Sequence, residues 1–197
     1  GAVIVMRTTT QNFFPMTSRR HFLVALGATI AGFGPAKLLA AQSPNSNIRL
    51  GMMLGGGSAA ELHANAQSIA DAGFDRVQVI FSFQPTAQEL QALARTLKDL
   101  KLKTAAFGTY FNLFRPDDTG FTGSSQAAMK AIAAQAGLFD CRQFVTWSAS
   151  YSPRFDGTES RNHTPEAVAQ LQEAIRQVVL PILEPIGGSV AFEPYFP

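Results

Sequence analysis

From Ile48 onward, short apolar runs alternate with longer stretches in which apolar residues recur every three or four positions. The first pattern predicts strands covered on both faces, the second amphipathic helices. IRLGMML is the first run and ends in Gly55-Gly56-Gly57. SAAELHANAQSIADAGF follows, with Leu62, Ala66, Ile69 and Ala70 on one helical face. Ser58 and Glu61 form an S-x-x-E capping box ahead of it, and Gly73 supplies a left-handed stop behind it. The runs RVQVIFSF, KTAAFGTYFNLF, RQFVTWSAS and SVAFEP repeat the strand pattern. Between them, Thr86 and Glu89 cap a helix whose stripe is Leu90, Leu93, Leu97 and Leu100, and QAAMKAIAAQAG forms the next. Thr164, with Pro165 in the first turn, opens a fourth helix, which Pro181 kinks or ends.

The predicted order is β-α-β-α-β-α-β-α-β, with strands starting near residues 48, 76, 103, 142 and 189. Right-handed crossovers then leave two α/β architectures, an open doubly wound sheet or a closed (β/α)8 barrel. No G-x-G-x-x-G fingerprint follows the first strand, and the glycines of LGGGSAAE read as a tight turn rather than a phosphate cradle.

Residues 1–41 read differently. TSRRHFL (Thr17–Leu23) precedes an apolar run of about 13 residues and then small residues at Ala40 and Ala41. A basic start, an apolar middle and a small-residue cut site make an export signal. Spanning a membrane takes about 20 apolar residues, so a cleaved signal is favoured over an anchor. The Arg19–Arg20 pair resembles the twin-arginine signal, with Val24 in place of its usual final Lys. Met16 is the natural start on this reading, which leaves Gly1–Pro15 as upstream sequence. The resemblance implies a periplasmic or secreted protein that meets the membrane only during export.

Charge narrows the partners. The formal charge is +2, but residues 1–41 contribute +4 through Arg7, Arg19, Arg20 and Lys37. The rest carries 12 basic and 14 acidic side chains and no basic run, a poor footprint for nucleic acid. A hydrophobic share of 46 % excludes a disordered chain. One cysteine, Cys141, precludes an intrachain disulfide, and with only His21, His63 and His163 it cannot build a conventional zinc motif.

In either architecture, chemistry gathers at the carboxyl ends of the strands. That rim draws Met53 and Gly55 from the first strand, Phe81, Ser82 and Phe83 from the second, Phe107, Tyr110 and Asn112 from the third, Trp147, Ser148 and Tyr151 from the fourth, and Glu193 and Tyr195 from the fifth. Aromatic faces among hydroxyls and amides suit a sugar or small polyol. Tyr110 and Trp147 are the candidate substrate-binding residues, joined by His163, which ends the long loop after the fourth strand. Individual aromatics are equally at home in the core. Glu193 stands out, because a carboxylate in an apolar strand costs several kcal/mol unless paired. It either pairs with an arginine or lies in solvent, or it serves as an acid/base or a ligand for a cation.

The strand–helix spacing, the helix–proline–glycine passage before the fifth strand and the ending AFEPYF resemble the xylose-isomerase-like TIM barrels, the sugar phosphate isomerase/epimerase superfamily. The resemblance covers residues 48–197. It implies a partial (β/α)8 barrel of about five strands and four helices, the N-terminal part of a fold that takes about 250 residues, cut after strand five. Such a piece is expected to be poorly stable and inactive alone. The resemblance further implies a metal-dependent isomerase or epimerase acting on a sugar or related polyhydroxy compound. Glu193 would be the first ligand of a divalent metal, Mn2+ or Mg2+, and possess an acid/base role. VIFSF and FGTYFN lack the Glu and His that many members carry after strands two and three. A hydrolase or lyase on the same barrel, or a non-enzymatic sugar-binding barrel, are the alternatives.

Overall fold

The computed structural model describes residues 51–119, 122–152 and 159–193. Residues 1–41, read above as an export signal, and Tyr195 lie outside them. Five strands form one parallel sheet: β1 (Met52–Gly56), β2 (Arg76–Phe81), β3 (Lys103–Gly108), β4 (Gln143–Trp147) and β5 (Ser189–Glu193). Their spatial order is β1-β2-β3-β4-β5. Each crossover therefore steps the same way across the sheet, and the order never reverses among the described residues. A doubly wound sheet needs that reversal.

The crossovers are α1 (Ala59–Asp71), α2 (Ala87–Asp99), α3 (Gln126–Gln135) and α4 (Pro165–Ala174), the last continuing through a π turn, Ile175–Val179, into α5 (Leu180–Leu183). The α2 start is a full capping box: Thr86 Oγ1 accepts from Glu89 N, and the Glu89 carboxylate accepts from Thr86 N at 2.7 Å. The Thr86 N–H and the Thr86 hydroxyl, both donating to the Glu89 carboxylate, hold its pKa below the usual range. At α1 the expected box is displaced. Ser58 Oγ accepts from Glu61 N, but the Glu61 carboxylate turns to Gly57 N at 2.9 Å. Gly73 takes φ 85°, the left-handed stop its position predicts. The regular α ladder stops before Pro181, as expected, and the helix carries on past it irregularly. Pro181 has no N–H to continue the ladder, and the π turn just before it, closed by Leu180 N to Ile175 O, absorbs the mismatch.

Burial separates the two faces of the sheet. Leu54, Val77, Val79, Phe81, Phe107 and Phe144 are buried in one core with Leu62, Leu90, Leu93, Leu97, Met129, Ile132 and Val179 from the helices. Residues between them along the strands face the other way, and β2 alternates strictly, with Arg76, Gln78 and Ile80 only partly buried. The expectation of strands covered on both faces thus holds for one face alone among the described residues, and Met53 is 66 % exposed. A bulge at Ala105 shifts the β2–β3 register between Val77–Thr104 and Gln78–Ala106. It restores Phe107 to the helical core and turns Gly108 to the open face. Cys141 is buried, and that burial pushes its thiol pKa up, as fits a packing residue.

Candidate functional site

The site is built on the open face at the carboxyl ends of β3, β4 and β5. Trp147 and Glu193 are paired across β4 and β5, and Gly108 pairs with Val145 two residues earlier. Tyr110, two residues past Gly108, comes level with Trp147. The rings of Tyr110 and Trp147 lie 5.0 Å apart at 43°, a tilted pair that presents apolar faces beside a carboxylate.

Tyr110 folds back over Gly108. A Cβ at that glycine would fall 2.8 Å from Tyr110 Cε2 and 2.9 Å from Ile80 Cγ1, so the bare backbone makes the seat for the ring. From there the Tyr110 hydroxyl donates to Glu193 Oε1 at 3.1 Å and accepts from Gln78 Nε2 at 2.9 Å. Its pKa is pushed up to about 12, chiefly by burial, then by the charge and hydrogen bond of Glu193, against a smaller pull from Gln78. Tyr110 therefore stays a neutral donor at any ordinary pH.

Glu193 is exposed. The ion pairs among the described residues are Arg76–Asp75 at 3.9 Å and Arg176–Glu173 at 3.1 Å, and neither involves it. Of the structural alternatives open from the sequence, the arginine pairing is absent among the described residues and the solvent-exposed carboxylate is what the structure has, with one bond to a phenol. No described residue bonds Oε2.

No protein-family model matches the chain, and no curated protein matches it. The site's chemistry is therefore argued from its geometry.

Among the described residues no three His, Cys, Asp or Glu side chains converge where a metal could sit. Glu193 offers one hard oxygen ligand, and Tyr110 and Gln78 are already bonded to each other. Mn2+ or Mg2+ binding takes more oxygen ligands than this set supplies, so the residues present do not complete the implied metal site.

His163 ends a 3-10 turn, Ser160–His163, before α4 and is exposed. It takes no part in the Gln78–Tyr110–Glu193 chain. Two other rim residues serve the scaffold. Asn112 bonds both backbone groups of Ser150, donating to Ser150 O at 2.7 Å and accepting from Ser150 N at 3.2 Å. Asn162 accepts from Tyr151 N and donates to Ser150 Oγ, both at 2.9 Å. The Tyr151 ring packs against Phe114 at 4.7 Å and under the Arg161 guanidinium at 4.0 Å, so it braces the loops. His63 bridges α1 and α2 through Thr96 Oγ1 at 2.8 Å, on the helical side.

Two grooves open on the helical side. One of about 410 Å³ lies beside Arg142, Pro185 and Gly187, before β4 and β5 begin. Another, about 590 Å³, runs between α3 and the last helix past Lys130, Val178 and Ile182. Neither includes Tyr110, Trp147 or Glu193.

Gln78 was missed from the sequence, although a signal was there. It is a long polar residue in the middle of RVQVIFSF, a run otherwise fit for burial.

Proposed function

We propose that the open face is a carbohydrate site of a partial (β/α)8 barrel, and that the protein is an isomerase or epimerase moving a proton on a sugar or related polyhydroxy compound. The observation that carries this reading is Glu193. Its carboxylate stands at the carboxyl end of β5, beside Trp147 and bonded to Tyr110 through Oε1. The unreversed strand order supports the barrel, since each βα unit of such a fold steps the same way round the ring.

The Tyr110–Trp147 pair stacks on the C–H face of the sugar. Glu193 Oε2 takes the proton from the carbon next to the substrate carbonyl, leaving an enediolate-type intermediate. Return of the proton to the neighbouring carbon, with the hydroxyl proton passing to the former carbonyl oxygen, gives isomerisation; return to the same carbon after the intermediate turns its other face to Glu193 gives epimerisation. Tyr110 keeps its own proton and steadies the carboxylate. In the metal-dependent form of this reading Glu193 is also one ligand of Mn2+ or Mg2+. The described side chains do not complete that shell, and no step here runs through an ion.

The test is proton exchange. The full-length gene product is incubated in D2O with aldoses, ketoses and sugar acids, and deuterium beside the carbonyl is followed by NMR. Exchange is expected in the native protein, falling by roughly 100-fold or more in Glu193→Gln. Undiminished exchange in that variant removes Glu193 as the base. Sugar binding without any exchange in the native protein replaces the enzyme with a binding module.

A further inference from the structure

The Gln78–Tyr110–Glu193 chain has a direction that proton counting settles. A phenol owns one proton, and a carboxylate accepts without giving one. The proton in the 3.1 Å contact therefore belongs to Tyr110 and points at Glu193 Oε1. What remains on the Tyr110 oxygen is a lone pair, which needs a donor. Gln78 meets it with its NH2 group at 2.9 Å. Its carbonyl turned the same way would set two acceptors against a single proton. The three side chains come from β2, the end of β3 and β5, so the chain ties nonadjacent strands across the open face.

We propose that Gln78 is a positioning residue, which by donating to Tyr110 commits that hydroxyl to Glu193 Oε1 and holds the carboxylate with Oε2 turned to substrate. This rests on the reading of Glu193 as the base, but the hydrogen-bond direction can be measured without any substrate. Gly108 is part of the device, since only a residue without a side chain lets the Tyr110 ring lie close enough to span Gln78 and Glu193.

Two variants separate direction from mere packing. Gln78→Glu has nearly the same shape and replaces the donor with an acceptor. Gln78→Met keeps the length, carries neither, and stands alone if the added charge of the first variant prevents folding. The readout is the tyrosine Fermi doublet in the Raman spectrum of the full-length protein, taken as the difference from Tyr110→Phe. This doublet distinguishes a phenol that only donates from one that donates and accepts. The native protein should give the donor-and-acceptor signature, and both variants the donor-only one. Substrate proton exchange should fall roughly tenfold, the equivalent of one lost hydrogen bond, mainly in kcat rather than KM. A doublet that does not move in the folded variants overturns the proposal, as does a moved doublet with exchange at the native rate. A doublet that moves in a protein that exchanges no sugar proton upholds the assignment of Gln78 and brings down the isomerase reading instead.

Discussion

Gly108→Ala puts the geometry of the open face to a direct thermodynamic test. The glycine is buried, and its backbone lies in the ordinary strand region, so alanine meets no torsional penalty there. The penalty is contact. The new Cβ would sit 2.8 Å from Tyr110 Cε2, 2.9 Å from Ile80 Cγ1 and 3.3 Å from Gln78 Nε2. Two of these are closer than carbon atoms come at rest, and Ile80 Cγ1, two bonds from its backbone, gives way only by a change of rotamer. Overpacking of this kind costs about 1–3 kcal/mol. Replacing glycine also restricts the unfolded chain and returns about 0.4–1 kcal/mol. The net destabilisation should be about 1–2 kcal/mol, which lowers Tm by about 2–8 °C for a domain of this size. The cheapest relief is to push the Tyr110 ring off its seat, parting its hydroxyl from Glu193. Its pKa, now near 12, should then fall back toward the ordinary tyrosine value of about 10. Thermal melts by circular dichroism and tyrosinate absorbance during alkaline titration, referenced to Tyr110→Phe, measure both. A variant that melts as high as the native protein and keeps Tyr110 titrating near 12 would refute the seat.

Other expectations follow from the same contacts. Because the Tyr110 pKa is higher folded than unfolded, its contribution to stability is full below about pH 10 and disappears as pH rises through about 12; denaturant melts across that range should therefore decline more steeply for the native protein than for Tyr110→Phe. Trp147→Ala should weaken carbohydrate binding by about 1 kcal/mol or more through the lost stacking face, read by calorimetry, and an unchanged affinity would move the sugar elsewhere. If Glu193 ligates a divalent ion in the full-length protein, Mn2+ titration should show a site that Glu193→Gln weakens, and equal affinity in both would exclude the ligand role. Leu93→Ala empties a place in the helical core where the side chain is 2 % exposed, and chemical denaturation should report a loss of about 2–5 kcal/mol.

Local chemistry was legible in the chain and long-range register was not. Thr86 with Glu89, Gly73 and the leucine stripe of α2 act over a turn or two, and the structure realises each. Glu61 shows the limit even at short range: with Gly57 N within reach, its carboxylate chose that donor over Ser58 N. Pro181 carried a correct warning about the ladder, yet the neighbouring packing of Val179 and Leu183 kept the helix going through a π turn. Of the proposed site, Tyr110, Trp147 and Glu193 do meet, because all three sit at strand ends on one face. His163 stands apart. Gln78 could not be placed beside Tyr110 from spacing, since the bulge at Ala105 alters the β2–β3 register and leaves no clear mark in KTAAFG. Asn112 and Tyr151 looked like ligand-binding groups for the same reason, as amide and phenol chemistry serves loop bracing equally well.

The stepwise strand order bears on how the molecule comes into being. Each strand docks beside the one made just before it, so the sheet can grow in the order of synthesis without waiting for distant partners. Tyr110 and Trp147 would then be in place while Glu193 is still to arrive on β5. A folding intermediate of β1–β4 would hold the Tyr110–Trp147 pair and lack the Glu193 contact. Recovery of sugar binding during refolding should lag behind recovery of helix signal, and the interval between them times the docking of β5.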